Sequence, residues 1–114
     1  MTAPVTLTFR HLLRSGALEA AARDVGSRLQ RSNSRITACH IELEGNADAP
    51  GEGGPHKVKI HLSVPGAQIH AEGTQQHGEG HGLARNALHT AYDNAKRQLE
   101  NLKRLHIRPD FAGS

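Results

Sequence analysis

Residues 57–72 run KVKIHLSVPGAQIHAE. In the first half every second residue is apolar: Val58, Ile60, Leu62 and Val64. A period of two marks a strand with one buried face, because successive side chains point to opposite sides of a pleated backbone. Pro65 and Gly66 then interrupt the pattern, and it resumes with Ala67, Ile69 and Ala71. Pro followed by Gly suits a type II turn. A two-residue turn sets Val64 opposite Ala67, Lys59 opposite Glu72, and His61 directly opposite His70. This hairpin is the frame onto which the rest of the chain must pack.

Working outward, residues 5–9 (VTLTF) alternate with Val5, Leu7 and Phe9 on one side, and residues 36–44 (ITACHIELE) place Cys39, Ile41 and Leu43 on one side. Both predict half-buried strands. Between them Ser15 is a suitable helix N-cap, and Leu18, Ala21, Ala22, Val25 and Leu29 form an apolar stripe over a helix at 16–31. Gly- and Pro-rich residues 45–55 and Gly- and His-rich residues 73–82 predict loops. A long helix is expected over 83–106, buried through Ala84, Ala87, Leu88, Ala91, Ala95, Leu99 and Leu102, with Pro109 preventing its continuation. The order is β-α-β-β-β-α. It predicts an α+β domain, a four-stranded mixed sheet with two helices packed on one face, over residues 1–106, with 107–114 as a short tail.

The whole chain has 114 residues, enough for one core. Hydrophobic residues are 36% and aromatics 3%, so Leu, Ile, Val and Ala must supply the interior, with Phe9 and Tyr92 as the expected large anchors. No apolar run approaches the ~18 residues of a membrane span, and the N-terminus carries no signal-peptide core. The single cysteine excludes an internal disulfide. Fourteen Lys and Arg against eleven Asp and Glu give a net charge of +3. That charge is segregated. Residues 1–35 hold six Arg against Glu19 and Asp24, 36–55 hold four carboxylates and no Lys or Arg, and 83–114 hold six cations against three carboxylates. Alternating segments predict locally strong positive surface. The missing signal-peptide core and the single cysteine predict a cytoplasmic protein.

Three sets of residues carry candidate chemistry. At roughly 100° per residue, Arg85, His89, Lys96 and Lys103 fall within about 40° of one another on the last helix, bordered by Tyr92, with Arg97 and Arg104 further round. Arg23 and Arg31 point outward from the first helix, and Arg28 lies at its flank. Such faces suit phosphates, but an ordinary solvated helix face explains the same pattern, and the residues alone favour it. The second set is histidine. His61 and His70 would project from the uncovered side of the sheet, where two imidazoles could hold Zn²⁺, Ni²⁺ or Cu²⁺ with His40 or a carboxylate as a third ligand. A solvated cross-strand pair is the reading favoured by sequence, and His77 and His81 lie in a loop too Gly-rich to preform a site. Catalysis is the third. Cys39 sits on an apolar strand face, Ser15, Ser27 and Ser32 have no nucleophile-elbow context, and GxxxxGK[ST] is absent. No enzyme and no cofactor are expected.

The segments VTLTFRH, SGALEAAARDVGSRLQR, RITACHIELEG, HKVKIHLSVPGAQIHAEG and AYDNAKRQLENLKR, in this order, resemble the ribosome hibernation promoting factor family, which includes the ribosome-associated inhibitor A proteins. The likeness runs from about residue 5 to 106. One stretch, HGLARNALHTAYD, departs from the family's usual Asp-x-Tyr and Ala-Ile-Asp opening, with Arg85 at the Tyr position and Leu88 at the Ile. The resemblance implies a non-enzymatic factor of the short form. It would bind ribosomal RNA of the small subunit under stress or in stationary phase and block the channel used by messenger and transfer RNA. On that reading the RNA contacts are Arg23, Arg28, Arg31, Lys57, Lys59, Arg85, His89, Tyr92, Lys96, Arg97, Lys103 and Arg104, and the free protein is a monomer. The alternatives are a His-rich transition-metal-binding module and a general double-stranded-RNA-binding domain.

Overall fold

In a computed structural model, residues 3–13, 15–45, 57–74 and 83–107 are described, with the side chains of 83–86 and 103–107 outside that description. The elements are β1 (Val5–Arg10), α1 (Gly16–Ser32), β2 (Ala38–Glu44), β3 (Lys57–Val64), β4 (Ala67–Thr74) and α2 (Leu83–Ile107). They form one sheet in the order β1-β2-β3-β4. β1 and β2 are parallel across the α1 crossover, and the other two pairs are antiparallel. The α+β architecture expected from the hydrophobic periods is the one observed. The 45–55 loop, apart from Gly45, and the 107–114 tail, apart from the helical backbone of Ile107, lie outside the described residues.

The hairpin folds as its sequence dictates. Val64 pairs with Ala67, and Gly66 takes φ +82°, the left-handed value a type II turn requires at its second central position. β4 continues through Gly73 and Thr74, beyond the expected loop boundary, because Gly73 is where α2 lies directly on the sheet. A Cβ at Gly73 would meet the Ala87 carbonyl oxygen at 2.2 Å and the Ala91 nitrogen at 2.5 Å. Gly26 does the same for α1, where a Cβ would stand 2.9 Å from a Val5 methyl. Ser15 caps α1, its Oγ accepting from the Leu18 N–H at 3.1 Å.

The core is a layer of Leu29, Ile41, Leu43, Val58, Ile60 and Leu62 between sheet and helices, extended by Ala22, Ala87, Ala91 and Ala95. Small Ala side chains on both helices let them approach closely, so the aliphatic strand residues lose nearly all their exposure. Two expectations are corrected. Ala21 is exposed, and the buried line of α1 runs instead through Ala22, Gly26, Leu29 and Gln30. Phe9 and Tyr92 are only partly buried at the margin of the core, Phe9 on an edge strand and Tyr92 on the flank of α2.

Helix side chains also hydrogen-bond to both sheet edges. Gln30 accepts from the Ala3 N–H at 2.8 Å and donates to its carbonyl at 2.9 Å, imitating a neighbouring strand beside β1. Arg23 donates to the Val5 carbonyl at 3.1 Å. On β4, Asn94 donates to the Glu72 carbonyl at 2.7 Å and Gln98 to that of His70 at 2.9 Å. An open edge offers unpaired backbone groups to other chains, and these contacts occupy several of them.

Candidate nucleic-acid interface

The register places the cations. Gln30 meets Ala3 and Gly26 meets Val5, so α1 runs antiparallel to β1. Ala87 and Ala91 meet Gly73 while Gln98 meets His70, so α2 runs antiparallel to β4. Since β1 and β4 point the same way through the intervening pairings, the two helices are parallel, and their C-terminal ends share one end of the molecule. Cations are enriched there, where helix carbonyl dipoles favour positive charge. From α1 through Arg35, and along α2, the helix layer carries Arg23, Arg28, Arg31, Arg35, Arg85, Lys96, Arg97, Lys103 and Arg104. Only Glu19, Asp24, Asp93 and Glu100 oppose these nine cations, a net of +5.

These cations differ in availability. Arg23 is committed to Glu19 at 3.2 Å as well as to the Val5 carbonyl, and Arg28 pairs with Asp24 at 2.9 Å. His89 lies 3.4 Å from Asp93. Arg31, Arg35, Lys96 and Arg97 are exposed and form no ion pair among the described residues. Arg35 follows α1 in a turn and was missed by a reading confined to helix faces; its signal was charge in the RSNSR stretch. Tyr92 is partly buried, with its ring centroid 6.4 Å from that of His89, so it borders the cations without stacking on the imidazole. Arg85, Lys103 and Arg104 belong to end turns whose side chains lie outside the described residues.

The other face of the sheet is a polar lattice in three rows. Across β1 to β4 they run Thr6–His40–His61–His70, Thr8–Glu42–Lys59–Glu72 and Arg10–Glu44–Lys57–Thr74. Lys57 and Lys59 therefore project away from the helices, and the structure does not join them to the helix cations. Three cations, Arg10, Lys57 and Lys59, face three carboxylates, Glu42, Glu44 and Glu72, for a net of zero, and Arg10 and Glu42 form an ion pair. His61 and His70 approach with Nδ1 to Nδ1 at 2.6 Å. His40 is not a third donor to that pair. Its Nδ1 is 2.7 Å from the Thr6 hydroxyl and its Nε2 3.1 Å from that of Thr8, so both nitrogens are occupied. Among the described residues no group of three or more His, Cys, Asp or Glu is arranged around a metal position. His77 and His81 lie outside the described residues.

Cys39 is buried against α1, and burial pushes its thiol up to about 11. It stays protonated at neutral pH and lacks the thiolate that nucleophilic chemistry needs. Among the described residues no helix is long and apolar enough to cross a membrane.

The family model described as Sigma 54 modulation protein / S30EA ribosomal protein matches residues 5–106. Among solved structures, a ribosomal subunit interface protein from Coxiella burnetii superposes with TM-score 0.67 at 19% identity, covering 87% of this chain and 96% of that one. The N-terminal domain of Protein Y from Thermus thermophilus superposes with TM-score 0.55 at 17% identity, covering 85% of this chain and 98% of that one. At these identities the superpositions speak for the fold. No curated protein sequence matches the chain.

Proposed function

Because the chain belongs to the Sigma 54 modulation protein / S30EA ribosomal protein family, a ribosome-associated family and not a class of enzymes, we propose that it is a hibernation factor acting on the small ribosomal subunit. The helix layer docks on ribosomal RNA. Its bulk then occupies the channel that messenger and transfer RNA require. The observation that carries this reading is the asymmetry of charge: the sequence of the two parallel helices and the turn after α1 holds nine cations against four carboxylates, while the opposite face is balanced. Phosphate contacts made by Lys and Arg release condensed counterions and supply affinity without requiring base-specific hydrogen bonds. The mechanism is steric occlusion, carried out in the cytoplasm where ribosomes work, and it needs no cofactor.

Pelleting with separated subunits tests it. The protein should sediment with small subunits and not with large ones, and small subunits preloaded with messenger and transfer RNA should exclude it. Undiminished binding to preloaded subunits overturns the occlusion mechanism. Equal affinity for plain duplex RNA would replace it with a general duplex-RNA activity.

A further inference from the structure

The three-histidine row on the open face is not used by the helix-layer function. Its two members on the β3–β4 hairpin have a specific geometry. The His70 carbonyl points outward to Gln98, away from β3. His61 and His70 are therefore a non-hydrogen-bonded pair of the antiparallel ladder, the type whose side chains stand closest. Their rings meet edge to face with centroids 4.7 Å apart, and the two Nδ1 atoms converge at 2.6 Å. On the other side, His61 and His40 are more distant, with centroids 6.1 Å apart. A short Pro-Gly turn holds the two strands three pairs from the histidines, so the backbone spacing is set before any ligand arrives.

We propose that His61 and His70 form an open two-imidazole chelate for a borderline divalent transition-metal ion, with solvent completing the coordination sphere. Metal–nitrogen bonds of roughly 2.0–2.1 Å place two cis ligands about 3 Å apart, so the observed pair needs only a small side-chain rotation on an exposed face to accept an ion. In the metal-free protein one imidazole donates its Nδ1–H to the lone pair of the other. Binding requires that the donating ring carry its proton on Nε2 instead, a tautomer change exchanged through solvent that leaves the proton count unchanged. Glu42 and Glu72 lie in the adjacent row and supply negative charge near the ion, with Lys59 between them. Thr6 and Thr8 hold His40 out of the site. With imidazole nitrogens as the only protein donors, affinity should follow Cu²⁺ above Ni²⁺ and Zn²⁺.

The test is titration of the full-length protein with Cu²⁺ alone, followed by calorimetry and electron paramagnetic resonance, in the wild type and in His61→Gln, His70→Gln, His40→Gln and the double variant His77→Gln/His81→Gln. One equivalent should bind with hyperfine structure from two imidazole nitrogens. Either hairpin substitution should weaken it by about 100-fold or more, since even outer partners of metal-bound imidazoles contribute roughly 10–100-fold. His40→Gln and the loop variant should bind like the wild type. Metal should raise the melting temperature of the wild type and not of the hairpin variants, a comparison that also exposes any variant that fails to fold. Absence of a one-equivalent site, or a site that survives both hairpin changes, overturns the proposal. Ribosome pelleting lies on the other face and is expected to be unchanged by either hairpin substitution.

Discussion

The helix layer and the open face of the sheet both carry charge and differ in how it is arranged. Beneath the helices the sheet is aliphatic, and the helices with the turn after α1 carry a net of +5 in their sequence. On the open face three cations and three carboxylates alternate by register, and three imidazoles fill the remaining row. Charge that alternates across strands compensates itself at contact distance, whereas charge collected at the same end of two parallel helices adds up over the span of a polyanion. The difference teaches that a cation count alone does not say where positive charge accumulates. Lys57 and Lys59 count as much as Lys96 and Arg97 in composition, yet they stand among carboxylates on the far side.

The largest expected effect breaks this contrast directly. Changing Arg31, Arg35, Lys96 and Arg97 to Glu reverses the exposed cations that have no ion pair among the described residues. Small-subunit association should fall by about 100-fold or more at physiological salt, given roughly four lost phosphate contacts. Each surface change should cost the fold only about 0.5 kcal/mol or less. Glu42, Glu44 and Glu72 changed to Gln add the same sign of charge that the helix variant removes, but on the open face, and should leave binding within about twofold. Pelleting with melting curves in parallel checks both. If the two triple and quadruple variants bind alike, the distinction between the faces is wrong.

Next in size is a structural change that moves the helix layer without touching the open face. Gly73→Ala puts a methyl against the backbone of α2, which has no side chain to swing aside. Overpacking of this kind should cost about 2–3 kcal/mol. Thermal denaturation should show a melting temperature lower by roughly 10 °C or more. Gly26→Ala meets only the side chain of Val5 on this approach at under 3.4 Å and should cost less.

A smaller effect separates edge protection from core packing. Gln30→Ala removes the two hydrogen bonds to Ala3 and should destabilise the protein by about 1–2 kcal/mol. Urea titration should show the lower midpoint. An unchanged midpoint would mean that the Gln30 clamp is replaced by water at no cost.

The smallest effect lies on the open face and depends on pH. The folded protein holds His61 below its ordinary value of 6.5, chiefly through burial and then through the charges of His70 and His40. The folded state therefore binds fewer protons than the unfolded chain. This contribution is fully present above pH 6.5 and is lost as the pH falls below it, where protonation favours unfolding. Melting temperatures between pH 7 and pH 5 should decline more steeply for the wild type than for His61→Gln. Equal slopes would remove His61 from the titrating groups that matter.

Much of this architecture was legible before any coordinates. The alternation in residues 57–64 and 67–71 fixed which side chains face inward, and a two-residue turn then dictated that His61 meets His70. The apolar stripe of α2 was legible for the same reason, since a helix repeats its buried positions every three to four residues. The stripe of α1 was misjudged at Ala21 because Ala is indifferent to burial and gives periodicity little signal. Gly73 was assigned to a loop because a glycine in a strand looks like a break until a helix is seen resting on it. Gln30, Asn94 and Gln98 carried no signal, since nothing in their neighbourhood along the chain marks them as partners for a sheet edge.

By itself the sequence determined the elements, their order and the inward faces of the strands, because each follows from the period of apolar residues and from local backbone preferences. Only the tertiary structure decided that the helices are parallel, that Arg23 and Arg28 are tied down while Arg31, Arg35, Lys96 and Arg97 stand exposed, and that the two hairpin imidazoles converge to 2.6 Å. These are distances between groups far apart in the chain or between side-chain tips. They are set by how the layers pack, and no local period encodes them.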